Sequence, residues 1–176
     1  FDITYDLKQC DDLLNHKKDG KSYKDFEHKW IVIDRDAPRV NGGGHTKDDF
    51  NGALSSAKTK KVEVAYANDS YELWYLLHFN YRETAILRDD ILKEVIKKLK
   101  TKNLTKFRDL NDENIKSEEY TKLIYEELLE LQLTAIKNAK KLLESYGENH
   151  NPEIDNPSTT IYKLVEILNN LKDKES

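Results

Sequence analysis

No methionine occurs in this chain, and only one cysteine, Cys10. A lone cysteine excludes an internal disulfide, and with nothing pointing to secretion the expected location is the reducing cytoplasm. One cysteine and five scattered histidines also exclude a structural zinc cage, which draws its ligands from closely spaced Cys and His. No serine stands in a G-x-S-x-G elbow. The longest apolar run, "LWYLLHF" (73–79), contains a histidine and falls far short of the roughly 20 residues that cross a bilayer. The opening residues carry no secretory-signal pattern. A chain that begins at Phe1 and has no methionine is nonetheless expected to lack N-terminal residues. Nor does one sign of charge dominate: 29 basic against 33 acidic side chains leave −4. That balance neither demands nor excludes nucleic acid, which would have to meet a local patch.

What is present is length. A chain of 176 residues makes one full domain with at most a modest appendage, and one this size buries roughly two thirds of its unfolded surface. "FDITYD" (1–6) alternates like a short strand, and 7–18 reads as a helix stopped by Asp19-Gly20. "KWIVIDRD" (29–36) is the clearest strand, with four consecutive apolar residues as in a strand covered on both faces. A loop over 37–44, a helix over about 46–58, a strand over 61–68 and a helix over about 70–80 follow. That alternation predicts an α/β fold with a parallel sheet and flanking helices. In such sheets functional residues collect at the carboxyl ends of the strands, where Asp34, Asp36 and Asn68 stand. From 84 onward the periodicity is helical: 84–100, one long helix over about 117–146, a breaker at 147–158, and a last helix over about 158–172. The expected division is an α/β core over 1–82 and a helical region over 83–176.

Asp34 and Asp36 hold the clearest chemistry. Residues i and i+2 of a strand point the same way, so both carboxylates can lean into one site. Hard oxygen ligands of this kind suit Mg²⁺ or Mn²⁺. The plain alternative is a turn capped by Asp34 with Asp36 solvated. An Asp-nucleophile phosphatase also opens with Asp-x-Asp after a strand, but its usual threonine two residues on is here Pro38. Glu72, three residues after Asp69, has two readings: the far half of a capping box, or a further acid facing the same site. His78, inside an apolar segment, reads as a core histidine. "NGGGH" (41–45) lacks the Gly-Lys-Ser/Thr ending of a P-loop and reads as a mobile loop. Lys97, Lys98, Lys100, Lys102, Lys106 and Arg108 form an acid-free basic run. Such a run either neutralises nucleic-acid phosphates or is a solvated helix end.

"WIVIDRDAP" (30–38), "VAYANDSYELWYLLHF" (64–79) and "DNPSTTIYKLVEIL" (155–168) together resemble, in order and spacing, the signature regions of RloB-like proteins. The resemblance covers about residues 1–80 and 135–170. That family is found near bacterial restriction and abortive-infection genes, often beside an ABC-type ATPase. It implies a TOPRIM-type fold, the α/β unit shared by topoisomerases, primases and OLD-family nucleases. It also implies a magnesium site built from a glutamate after a first strand and an Asp-x-Asp after a later one. Asp34 and Asp36 match the latter, and Glu72 looks like the further acid that OLD-type enzymes use for a second metal. The first strand and its Glu-Gly segment should precede 1–6, and they are not in this chain. The resemblance therefore implies a metal-dependent nuclease effector of anti-phage defence, acting on DNA or on RNA such as tRNA. The second reading is a non-catalytic subunit that binds the ATPase. Oligomeric state stays open between monomer and homo-oligomer.

Overall fold

The structure, a computed structural model, describes Gly20, residues 25–40 and residues 42–175. The strand expected at 1–6 and the helix expected at 7–18 lie outside the described residues. Strand β1 (Trp30–Asp34) and strand β2 (Glu63–Asn68) pair in parallel, with Ile31 opposite Val64 and Asp34 opposite Ala67. Helix α1 (Lys47–Lys60) connects them. It opens on a complete capping box in which Thr46 and Asp49 satisfy each other's backbone N–H groups. A two-residue strand, β3 (Ser158–Thr159), lies antiparallel on the far side of β2, so the sheet is mixed, in the order β1-β2-β3.

β2 is the central strand and is buried from Ala65 to Asn68. β1 is only half-buried along its length, although its apolar run suggests cover on both faces. An apolar run cannot by itself separate a central strand from an edge strand, and among the described residues β1 is the edge. β3 escapes sequence reading because its side chains are polar. They are buried nonetheless, and the threonines at this edge find backbone: Thr159 Oγ1 donates to the Tyr66 carbonyl at 2.7 Å, and Thr160 Oγ1 donates to the Val64 carbonyl at 2.9 Å while accepting the Tyr66 N–H at 3.0 Å.

The helices are α2 (Glu72–Leu77), α3 (Arg88–Lys102), α4 (Leu104–Phe107), α5 (Glu118–Leu128), α6 (Gln132–Tyr146) and α7 (Ile161–Glu175). The single helix expected over 117–146 is two, split by a 3₁₀ turn at Leu129–Leu131. The three-residue spacing from Leu128 to Leu131 suits either helix type, so the apolar stripe runs through the split unchanged. The helix expected from 84 begins at Arg88 after extended Leu87, with Ile86 buried as a loop anchor. One apolar cluster runs from Ala65 and Leu73 through Val95, Ile124 and Leu142 to Ile161, so sheet and helical region share a core. Among the described residues no helix is long and apolar enough to cross a membrane.

The breaker segment between α6 and β3 is tied to the sheet. The Tyr66 hydroxyl bonds to His150 Nε2, whose Nδ1 meets the Asp155 carboxylate at 2.6 Å. Beside them the Tyr146 hydroxyl donates to the Pro157 carbonyl at 3.1 Å.

Candidate active site

β1 ends by sending successive side chains to opposite sides. The Arg35 N–H continues the ladder to the Ala67 carbonyl at 2.8 Å. Its guanidinium is buried against Glu153 at 3.0 Å, donates to the His45 carbonyl at 2.8 Å, and lies over the Phe50 ring. Arg35 therefore locks α1 and the breaker segment to the sheet, away from Asp34 and Asp36. At Asp36 the backbone turns to a positive φ of 39°. Its N–H reaches the Asp69 carbonyl at 2.8 Å, and its own carbonyl accepts the His45 N–H at 2.7 Å. Gly44 closes this turn at φ +84°, where a Cβ would meet the Asp36 and Ala37 carbonyl oxygens at 2.6 Å. Only glycine fits there. The glycine-rich stretch thus includes a close-packed anchor for the acidic turn.

The capping-box reading of Asp69 and Glu72 does not hold. The position before α2 is Tyr71, with no side-chain cap. Asp69 instead accepts the Ala37 N–H at 2.8 Å and the Arg88 N–H at 3.4 Å, bridging the β1 turn to the start of α3. Asn68, at the end of β2, donates its amide to the Pro152 and Glu153 carbonyls at 3.1 and 3.2 Å. It is a structural tie to the breaker segment. His78 is the core histidine its setting suggests: Nδ1 donates to the Trp74 carbonyl at 2.8 Å, and burial lowers its pKa.

Glu72 enters the site from the first residue of α2 and is 3% exposed. One carboxylate oxygen pairs with Lys116 Nζ at 3.1 Å. The other, Oε2, is buried with no hydrogen-bond partner. Asp34 lies close enough to feel it. Burial pushes the Asp34 carboxyl up to about 7; the Tyr71 backbone amide draws it back, the Glu72 charge raises it further, and Lys116 lowers it. Asp36, which also raises Asp34, has its own carboxylate shared between Arg39 and Arg88, each at 3.1 Å. Three acids thus converge with two cations, Lys116 and Arg88, delivered by the helical half. Neither cation is foreseeable from local pattern, because both arrive by tertiary crossing.

The basic run divides. Lys102 pairs with Glu127 and Glu130, and Lys106 with Glu127 at 2.9 Å. Lys97, Lys98 and Arg108 are exposed, and Lys100 is half-exposed.

Among the described residues no group of three or more His, Cys, Asp or Glu side chains is arranged to hold a metal ion. The residues present fit a smaller demand. Mg²⁺ keeps several waters and takes only one or two protein carboxylates. Asp34 and Glu72 can supply those two, and the unpartnered Glu72 Oε2 is an oxygen such an ion would satisfy. Asp36 can join only by giving up an arginine.

A mixed α/β sheet with half-buried Asp34 and Asp36 at the end of β1, buried Glu72 beside them and counter-charges from a helical region, defines the class. A family profile described as RloB-like protein matches residues 4–168, and the chain belongs to that family. No curated protein and no solved structure matches the chain.

Proposed function

We propose that the protein is a Mg²⁺- or Mn²⁺-dependent phosphodiesterase of TOPRIM type, a nuclease effector of anti-phage defence. The carrying observation is the pair where β1 ends and α2 begins: half-buried Asp34, its ionisation pushed up to about 7, and buried Glu72, with one oxygen unpartnered. A buried carboxylate without a full set of partners is costly to keep. Its presence at the carboxyl end of a sheet argues for a cationic ligand. Bound there, the metal supplies charge stabilisation to the attacking and leaving oxygens of a phosphodiester. Asp34 and Glu72 hold it. Asp36 orients the Arg88 guanidinium, whose fork suits phosphate oxygens. The exposed Lys97, Lys98 and Arg108 offer the nucleic-acid backbone a local basic surface. The defence role rests on the family resemblance, and DNA and tRNA are both substrates to be tested.

A second reading has an observation of its own. A groove of about 390 Å³ between β1, α2, α5 and α7, lined by Val32, Trp74, Tyr75, Leu128, Leu164 and Val165, is largely apolar. Exposed apolar surface of this kind is characteristic of partner-binding faces. It favours a non-catalytic subunit docked on an ABC-type ATPase, with Asp36 serving only its two arginines.

The test offers plasmid DNA and total tRNA to the protein in Mg²⁺ or Mn²⁺, with and without the ATPase. Asp34→Ala and Glu72→Gln are run alongside. Cleavage that vanishes in both variants is expected. No cleavage under any condition, with the variants folded and still binding the ATPase, favours the second reading.

A further inference from the structure

Lys116 is an unequal partner for Glu72. Its side chain is 54% exposed, whereas that of Glu72 is 4% exposed. The acid is held by the core and cannot leave, while the ammonium reaches it at the end of a long arm that is more than half exposed. The arm's root is fixed. Lys116 follows fully buried Ile115 and precedes Ser117, the N-cap of α5. The segment behind it is braced by Asn111 N–H to Asn114 Oδ1 at 2.8 Å, Asn114 Nδ2 to the Asp109 carbonyl at 2.9 Å, and Ser117 N–H to the Asn114 carbonyl at 2.9 Å. This braced loop presents a lysine across the molecule to the ends of β1 and α2.

The exchange this permits is one-sided. An exposed lysine that loses an ion pair regains hydration and rotamer freedom, so its release costs little. A buried carboxylate that loses its counter-charge is strongly destabilised. The need for a cation at Glu72 is therefore permanent, while its occupant is replaceable. Lys116 also fills the need incompletely. It contacts one Glu72 oxygen and leaves Oε2 without a partner. A divalent ion brings twice the charge and can satisfy the second oxygen as well.

We propose that Lys116 is the built-in counter-ion of the Asp34–Glu72 pair and competes with the divalent cation for it, so that metal entry and release of Lys116 are one event. The inference rests on the metal reading above and concerns its regulation. In the metal-free protein the acids stay neutralised, and the site fills only when the divalent ion is abundant enough to displace the arm. Lys116 thereby sets the metal threshold of the site from the helical half of the fold.

The test is Mn²⁺ binding to the protein, read by calorimetry and by the EPR signal of free Mn²⁺, without substrate. Lys116→Gln removes the competing charge at a largely exposed position and should tighten Mn²⁺ binding by about three-fold or more, the equivalent of a solvent-exposed ion pair. Lys116→Arg keeps the charge and should bind no tighter than wild type. Glu72→Gln should weaken or abolish binding. If wild type binds Mn²⁺ in a Glu72-dependent way and Lys116→Gln leaves the affinity unchanged or lower, the competition is overturned while the metal site stands. If neither wild type nor Lys116→Gln binds Mn²⁺, both are overturned.

Discussion

Asp69 shows how much a single carboxylate can organise. Its two oxygens receive N–H groups from the β1 turn and from the start of α3, and its carbonyl receives a third from Asp36. Asp69→Ala strands the Ala37 amide in a partly buried place. It should lower stability by about 1–3 kcal/mol, the cost of an unsatisfied buried donor, as measured by urea denaturation. His78 carries a pH signature. Its pKa is lowered in the folded protein by burial, so the unfolded chain takes up a proton first as pH falls through about 6.5. The folded state then loses stability as pH drops, and that contribution is fully present only above the unfolded value. His78→Asn keeps an N–H donor for the Trp74 carbonyl without titrating. The gap between wild-type and variant urea midpoints should therefore change between pH 7.5 and 5.5, with wild type losing up to about 1.4 kcal/mol per pH unit relative to the variant. Parallel pH profiles would contradict this.

The elements were legible from sequence to the extent that their side chains announce a period. β1, β2 and the apolar stripes of α3, α5, α6 and α7 do so, and their placement agrees within a few residues. The acids Asp34 and Asp36 were legible because they end an apolar run. β3 was not, because Ser158, Thr159 and Thr160 look like loop until the two threonine oxygens are seen on the backbone of β2. Of the two readings of Asp69 and Glu72, the capping box fails because the amides that reach Asp69, from Ala37 and Arg88, are distant in the chain and leave no mark on local spacing. Arg88 and Lys116 were invisible as site residues, since nothing local distinguishes them from other surface cations. At this scale the pairing of β3 is testable. Thr160→Val keeps the shape but removes both the donor to Val64 and the acceptor for Tyr66. It should cost about 1–3 kcal/mol, seen as a lower melting temperature with unchanged far-UV circular dichroism at 20 °C.

Across the whole molecule, the shared core joins what the chain order separates. Leu73 and Leu77, behind the sheet, pack in the same cluster as Ile124, Ala139 and Leu142 of the helical region. Sheet and helices should therefore melt together. The fluorescence of Trp30 and Trp74 reports the sheet side, and circular dichroism at 222 nm is dominated by the helices. Their transitions should coincide, as in two-state unfolding. Leu142→Ala, at a fully buried site, should lower both midpoints together by an amount equivalent to about 2–5 kcal/mol. Separate transitions would mean that the core is not the unit of cooperativity.

The breaker segment, which reads on paper as the loosest stretch of the C-terminal half, is sewn to the sheet by Arg35–Glu153, by the Asn68 amide and by the Tyr66–His150–Asp155 chain. Continuity of the peptide there is consequently dispensable to the architecture. A protease that clips the exposed stretch at 147–149 should yield two pieces that travel as one species on a sizing column and part only in denaturant. The final strand and helix would then behave as a tightly held peptide ligand of the rest of the protein, and the severed chain should still assemble its acidic site.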